Sequence, residues 1–214
     1  MPVNQTIQNV IYQGYGITSN IIGESYEIFR SPTPLNPLAP ANYILTQTAS
    51  YNVSWDYEKA NRYGNAVFQT LTDGRYCAVG DYFFGNNEIY FLIARQWMLP
   101  LLSVQCNKII KIERASTDNA PDSDVYSGYN STPPLILAES LPASILFSNK
   151  GIRNEQKLPT DTYLGFWTIL IPDLGGVVYK NRDIIQDATN FRYVVDTAEL
   201  TVYGWRIMAQ QLGT

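Results

Sequence analysis

"DLGGVVYKNRDIIQDATNFRYVVDTAELTVYGWRIMAQQL", residues 173–212, decides the fold class of this chain. Within it Asp183 is followed by two apolar residues, a polar turn and the aromatic-rich run "FRYVV". A connection then leads to a last alternating run, "WRIMAQ". An earlier stretch, "GDYFFGNNEIYFLIARQWMLPLLSVQC" (80–106), has the same layout, with Asp81, "IYFLI" and a closing "LLSVQC". Alternating runs bounded by Asn, Asp and Gly turns predict β-hairpins, here each with a third strand added. In both copies the Asp is expected to turn the chain by bonding its own backbone. The layout therefore predicts two similar small β modules.

Working outward, residues 46–114 hold further short β-rich runs punctuated by "DG" (73–74), "GD" (80–81) and "GNN" (85–87). They read as a first antiparallel barrel or sandwich. Residues 115–134, "ASTDNAPDSDVYSGYNSTPP", change abruptly to Ser, Asp, Asn and Pro and read as a linker or surface loop. Residues 135–214 resume β character as a second module. At the other end, residues 1–45 divide into a helix and an arm. Apolar residues at 7, 10, 11, 15, 17, 21 and 22 give near-helical spacing over 6–22, ending near Gly23. "SYEIFR" (25–30) reads as a short strand. After it, Pro32, Pro34, Pro37 and Pro40 remove backbone donors and fix φ, which predicts an extended arm with no regular ladder. The expected fold class is mainly β: two small antiparallel barrel- or sandwich-like modules, an N-terminal amphipathic helix and a Pro-rich arm.

The composition points the same way. Charged residues make up 16% of the 214, against about 25% in an average soluble chain. The 16 Tyr suit either a surface held for partners or the interior of a β fold. The net charge of −4 and the scatter of the basic residues give no electrostatic footprint for specific nucleic-acid binding. No apolar run approaches the length of a spanning helix, because Pro100 interrupts the longest one, and no membrane association is expected. The opening residues have neither a basic start nor a long apolar core, so no signal peptide is expected.

No residue set asks for chemistry. The chain has no His, which removes the usual base for a Ser or Cys nucleophile and the usual transition-metal ligand. Cys77 and Cys106 sit in apolar, strand-like surroundings and read as free, buried thiols. "DNAPDSD" (118–124) gathers three Asp, yet Pro121 and the missing distal Glu make it a solvated loop rather than a calcium site. "GYGITSNIIG" (14–23) lacks both the third Gly spacing and the preceding strand of a dinucleotide loop. No catalytic, metal or cofactor site is assigned. Trp55, Trp167 and Trp205 are expected in the core. Trp97, with Met98 and Leu99 in a loop between strands, is expected on an exposed patch.

Five stretches also resemble a group of small tailed-bacteriophage virion proteins of the neck and head–tail connector. They are "GYG…IG…YEIFRSPTPLNPL" (14–38), "GDYFFGNNEIYFLIARQWMLPLLSVQCNKIIKIER" (80–114), "LPASILFSNKG" (141–151), "LPTDTYLGFWTILIPDLGG" (158–176) and "DIIQDATNFRYVVDTAELTVYGWRIMAQQL" (183–212). Together they cover roughly two thirds of the chain. The last looks like the hairpin of head-closure proteins, whose small barrel assembles into a ring. The resemblance implies a non-enzymatic structural protein of the virion, assembled in the host bacterial cytoplasm. It would form a six- or twelve-fold ring with itself and join portal or adaptor protein to tail proteins. DNA would pass without specific contact, and an acidic wall would keep it from sticking. Head-closure proteins usually hold one barrel, so two barrels and an arm leave several slots open: neck adaptor, stopper, tail terminator, tail tube or baseplate. A carbohydrate- or receptor-binding tail module is the alternative of a different class. Contacts to neighbours are expected at Pro34, Leu35, Pro37 and Leu38 of the arm, at Trp97, Met98 and Leu99, and at Tyr126 and Tyr129 of the 115–134 segment.

Overall fold

A computed structural model describes residues 3–52, 64–115, 133–148 and 166–212. The chain begins with helix α1 (Val3–Ile22) and continues with six strands: β1 (Glu24–Phe29), β2 (Tyr43–Asn52), β3 (Val67–Leu71), β4 (Tyr82–Gly85), β5 (Glu88–Ala94) and β6 (Leu101–Cys106). They pair antiparallel in the order β1-β2-β3-β6-β5-β4, and β4 returns to β1 to close a barrel. Six more strands follow: β7 (Lys108–Arg114), β8 (Leu135–Ser148), β9 (Phe166–Ile171), β10 (Ile184–Asp187), β11 (Arg192–Thr201) and β12 (Gly204–Gln211). They close a second barrel in the order β7-β8-β9-β12-β11-β10, with β10 paired to β7. The two barrels thus share one strand order, offset by six. Closure leaves neither sheet with a free edge.

The doubled layout read from the sequence is a doubled geometry. In the first barrel the Asp81 carboxylate accepts two bonds from Arg30, which follows β1: Nε to Oδ1 at 2.7 Å and Nη2 to Oδ2 at 2.7 Å. In the second, Asp183 accepts the same fork from Arg114 at the end of β7, at 2.7 and 2.8 Å. The same guanidinium nitrogen also donates to a loop carbonyl, that of Tyr76 in one barrel and Val178 in the other. Each Asp also accepts a backbone N–H from three residues earlier, Ala78 or Lys180. Gly80 and Arg182, the residues just before, both have positive φ, +91° and +71°. The register slips at matching places too, between Leu92 and Ala94 in β5 and between Val195 and Thr197 in β11. The expected backbone-turning Asp is there in both copies, with an Arg partner that sequence inspection passed over.

The module boundaries differ from those expected at 46–114 and 135–214. The first barrel begins at Glu24, and Lys108–Arg114 opens the second one. The joint is therefore the single residue Asn107. Its side chain bonds both backbone groups of Ile145 in β8, at 2.8 Å each. The Ser/Asp-rich stretch connects β7 to β8 within the second barrel, and its residues 116–132 lie outside the described part.

β5 shows why the central strands read as unbroken apolar runs. Tyr90 and Leu92 point into the first barrel, where Tyr26, Ile28, Phe68 and Phe83 also meet. Phe91 and Ile93, on the opposite side, join a second cluster with Ile110, Ile112, Leu141 and Ile169 of the other barrel. A strand covered on both faces needs no polar alternation. The Tyr82 hydroxyl crosses between the barrels to donate to the Pro142 carbonyl at 2.9 Å, fully buried.

Candidate assembly surface

The Pro-rich arm, expected to be extended and to meet a neighbour, docks on the second barrel of its own chain, which takes Pro34 and Pro37 out of reach. β8 bulges where Ile110 pairs with Leu141 but Ile112 pairs with Ala138, leaving the backbone of Glu139 unused by β7. A freed backbone group must find another partner. The arm supplies it: Asn36 N–H donates to the Glu139 carbonyl at 2.7 Å, and Glu139 N–H donates to the Pro34 carbonyl at 3.3 Å. Pro34 and Pro37 are buried by this docking, and Leu38 packs against the shared core. Of the four arm residues expected to meet a neighbour, Leu35 stays exposed. The arm strapped onto the second barrel is a clasp within one chain.

The 97–99 loop is exposed, as expected. Trp97, Met98 and Leu99 are all about half exposed, Trp97 at 53%. The loop is also held in place. The Met98 N–H donates to Gln8 Oε1 at 2.9 Å, and its carbonyl accepts from the Tyr15 hydroxyl at 3.1 Å, both on α1. The Arg95 guanidinium lies over the Tyr12 ring, 5.3 Å from its centre. An apolar tip fixed by three ties to a helix presents a formed surface, with little order left to gain on binding. Tyr126 and Tyr129 lie outside the described residues, as does Trp55.

Two surfaces were missed in the sequence. The β11–β12 hairpin turns through Val202 and Tyr203, and Leu200, Val202 and Tyr203 are exposed, Val202 at 87%. The signal was the run "LTVYG", which reads as strand rather than tip. The other is α1. It covers the predicted 6–22, but its barrel side is Gln8, Tyr12 and Ser19, while Val3, Ile7, Val10, Ile17 and Ile21 face outward. Amphipathic spacing is present with its apolar side turned away from the fold.

Among the described residues the Tyr go mainly inward. Tyr12, Tyr26, Tyr82, Tyr90, Tyr179 and Tyr193 are buried. The Tyr51 and Tyr90 rings stack at 3.6 Å, with Tyr26 edge-on to both. The exposed apolar surface of the described residues is mostly aliphatic. Of the two tryptophans expected in the core and described, Trp205 is buried against Tyr179. Trp167 is half-buried between Phe147 and Tyr193 at the end of the second barrel. There it lines a groove of about 760 Å³ with the exposed rings of Phe147 and Phe191.

Titratable groups are arranged for structure. The bond to Asp81 holds the Arg30 guanidinium above its ordinary value, and the bond to Asp183 does the same for Arg114. Both cysteines are free thiols. Burial, followed by the charge of Asp81, pushes the Cys77 thiol up to about 12. Among the described residues, no group of three or more Cys, Asp or Glu could hold a metal ion. No helix there is long and apolar enough to cross a membrane. No family model, curated protein or solved structure matches this chain.

Proposed function

We propose that this chain is a structural subunit of a tailed-phage head–tail junction, an adaptor or stopper that forms a ring around the DNA channel. The observation that carries the proposal is a pair of unlike apolar patches on different barrels: Trp97, Met98 and Leu99 on the first, Leu200, Val202 and Tyr203 on the second. A ring is built from a heterologous contact, in which one surface of each copy meets a different surface of the next. Two unlike patches on a folded unit meet that need, and exposed apolar clusters mark contact sites. The sequence resemblance supports the same slot, and the net charge of −4 suits a conduit wall.

Imaging of virions carrying a tagged copy tests the proposal. Six- or twelve-fold density for this chain at the junction is expected. Its location in a fibre, or its absence from the virion, overturns the reading. In the purified protein, Trp97→Asp should leave the melting temperature unchanged and abolish ring assembly with portal or tail partners.

The groove lined by Phe147, Trp167 and Phe191 favours a second reading, a glycan-binding tail module, since flat rings at a barrel mouth can stack on sugars. Glycan binding lost in Trp167→Ala, by a chain that assembles with no virion component, would establish that reading over the ring.

A further inference from the structure

The outward side of α1 has a strict pattern. Val3, Ile7, Val10, Gly14, Ile17 and Ile21 follow one another at steps of four, three, four, three and four. Every one but the glycine is an exposed aliphatic, from 40% for Ile7 to 79% for Ile21. This is the two-in-seven stripe of a coiled-coil seam, narrower than the face by which a helix packs onto a globular core. The residues by which α1 is buried on its own barrel, Gln8, Tyr12 and Ser19, lie on the opposite side, and of the stripe Ile17 borders a groove against the 73–76 loop while remaining 59% exposed. An α-helix of 20 residues is about 30 Å long, close to three heptads, enough for a continuous seam.

The partner is read from the flanks. In a coiled coil the positions beside the seam choose partner and orientation through their charges. Here they are Asn4, Ile11 and Thr18 on one side and Thr6, Gln13 and Asn20 on the other. The helix has no charged residue at all. A foreign helix with charged flanks would find nothing to pair with, whereas an identical helix meets no repulsion. Gly14, midway along the seam, lets the two backbones come close at the crossing, and apart from its chain neighbours and the helix's own backbone no heavy atom lies within 4 Å of where its Cβ would be.

We propose that the outer face of α1 pairs with the same face of a second copy of this chain. The contact is isologous, a surface meeting its own image, and so differs from the unlike-patch contact that closes a ring. It holds whether or not the chain belongs to a phage neck, and the two ideas fail separately.

Sedimentation of the full purified chain tests it. The wild type is expected at twice its 24.2 kDa at micromolar concentration. Val10→Glu with Ile17→Glu, which touches no residue of the barrel-facing side, should weaken pairing by at least about 100-fold and leave the circular dichroism melt unchanged. Leu200→Glu with Val202→Glu adds the same charge at an equally exposed apolar site elsewhere and should leave pairing intact. If the Glu pair disturbs the melt, Val10→Ser with Ile17→Ser replaces it. A wild type that stays monomeric up to roughly 100 μM overturns the proposal. So does pairing that survives the α1 changes or is lost in the hairpin control.

Discussion

The Arg–Asp fork at the start of each hairpin combines a carboxylate removed from water with a guanidinium that still touches it. Asp81 and Asp183 have side chains that are 0% and 1% exposed, their Arg partners 47% and 28%. Removing the Arg strands a buried charge, which is the expensive way to break such a pair. Arg114→Ala should therefore cost about 3 kcal/mol, and Arg30→Ala somewhat less because the Arg30 guanidinium is itself the more exposed of the two. The Arg206–Glu199 pair joins the same kinds of groups with both more than half exposed, and Arg206→Ala should cost under about 0.5 kcal/mol. Urea midpoints of the three variants give this ranking directly; a loss at Arg206 equal to that at Arg114 would contradict it. The thiols make a second residue-scale prediction. With the Cys77 thiol held neutral to about 12 against an ordinary 9.0, its burial stabilises the fold fully below pH 9. That contribution fades as pH rises and is gone above 12. Tyr26, raised by burial from 10.0 to about 12, adds a loss across the upper part of the same window. Melting temperature should fall steadily above pH 9. At pH 8 neither Cys77 nor Cys106 should react with a thiol reagent until denaturant is added; rapid native labelling at Cys77 would count against its burial.

Within α1, two glycines of one helical turn should answer the same substitution in opposite ways. At Gly14 an added methyl meets nothing within its own chain, so at concentrations too low for α1 to pair with a second copy Gly14→Ala gains the full helix-propensity difference of about 1 kcal/mol, or a rise of about 2–4 °C in melting temperature. At Gly16 the methyl would sit 2.9 Å from the Asp73 Cβ, and Gly16→Ala should lose at least what propensity returns. Calorimetry of the two variants decides; equal gains would mean α1 does not lie against the 73–76 loop. This helix also shows what a single sequence can reveal about an element. Its residues could be read because spacing reports local geometry. The direction of its apolar side could not, because periodicity says that one face is apolar without saying what covers it. Repeated Asp81 and Asp183 turns, and the Asn86–Asn87 hairpin with positive φ at both residues, were legible for the same local reason. The assignment of β7 to the second barrel was not. It depends on pairing with β10, more than sixty residues away. The docking of the arm was equally hidden, since it depends on a bulge in β8 that no pattern in the arm announces. Of the candidate surface, the Trp97 loop was visible as an apolar tip, and the hairpin tip at Val202 was masked by its strand-like composition.

For the whole molecule, the question is whether two barrels of one design behave as two units or as one. A tandem duplication joined at one residue could keep two separate cores. Here one cluster draws Phe29, Tyr82, Phe91, Ile93 and Val104 from the first barrel and most of the second barrel's interior. The first barrel spends the outer sides of β1, β4 and β5 on its neighbour and keeps its own aromatic interior on the other side. The arm adds a covalent reason for coupling, because it leaves β1 of the first barrel, docks on β8 of the second and returns as β2. Neither barrel can unfold without exposing the other's apolar wall and dropping the arm's bonds to Glu139. The chain should therefore melt in one transition, with a calorimetric enthalpy equal to the van't Hoff value. Tyr82→Phe removes only the hydroxyl that reaches the Pro142 carbonyl and leaves that carbonyl buried, a loss of about 1–2 kcal/mol. Although Tyr82 belongs to the first barrel, Trp205 in the second, made the sole tryptophan by changing Trp55, Trp97 and Trp167 to Phe, should report the same lowered midpoint by fluorescence as circular dichroism reports for the entire chain. Two separated transitions, with the Trp205 signal unmoved by Tyr82→Phe, would show the barrels to be independent and would remove the shared cluster as the source of the molecule's cohesion.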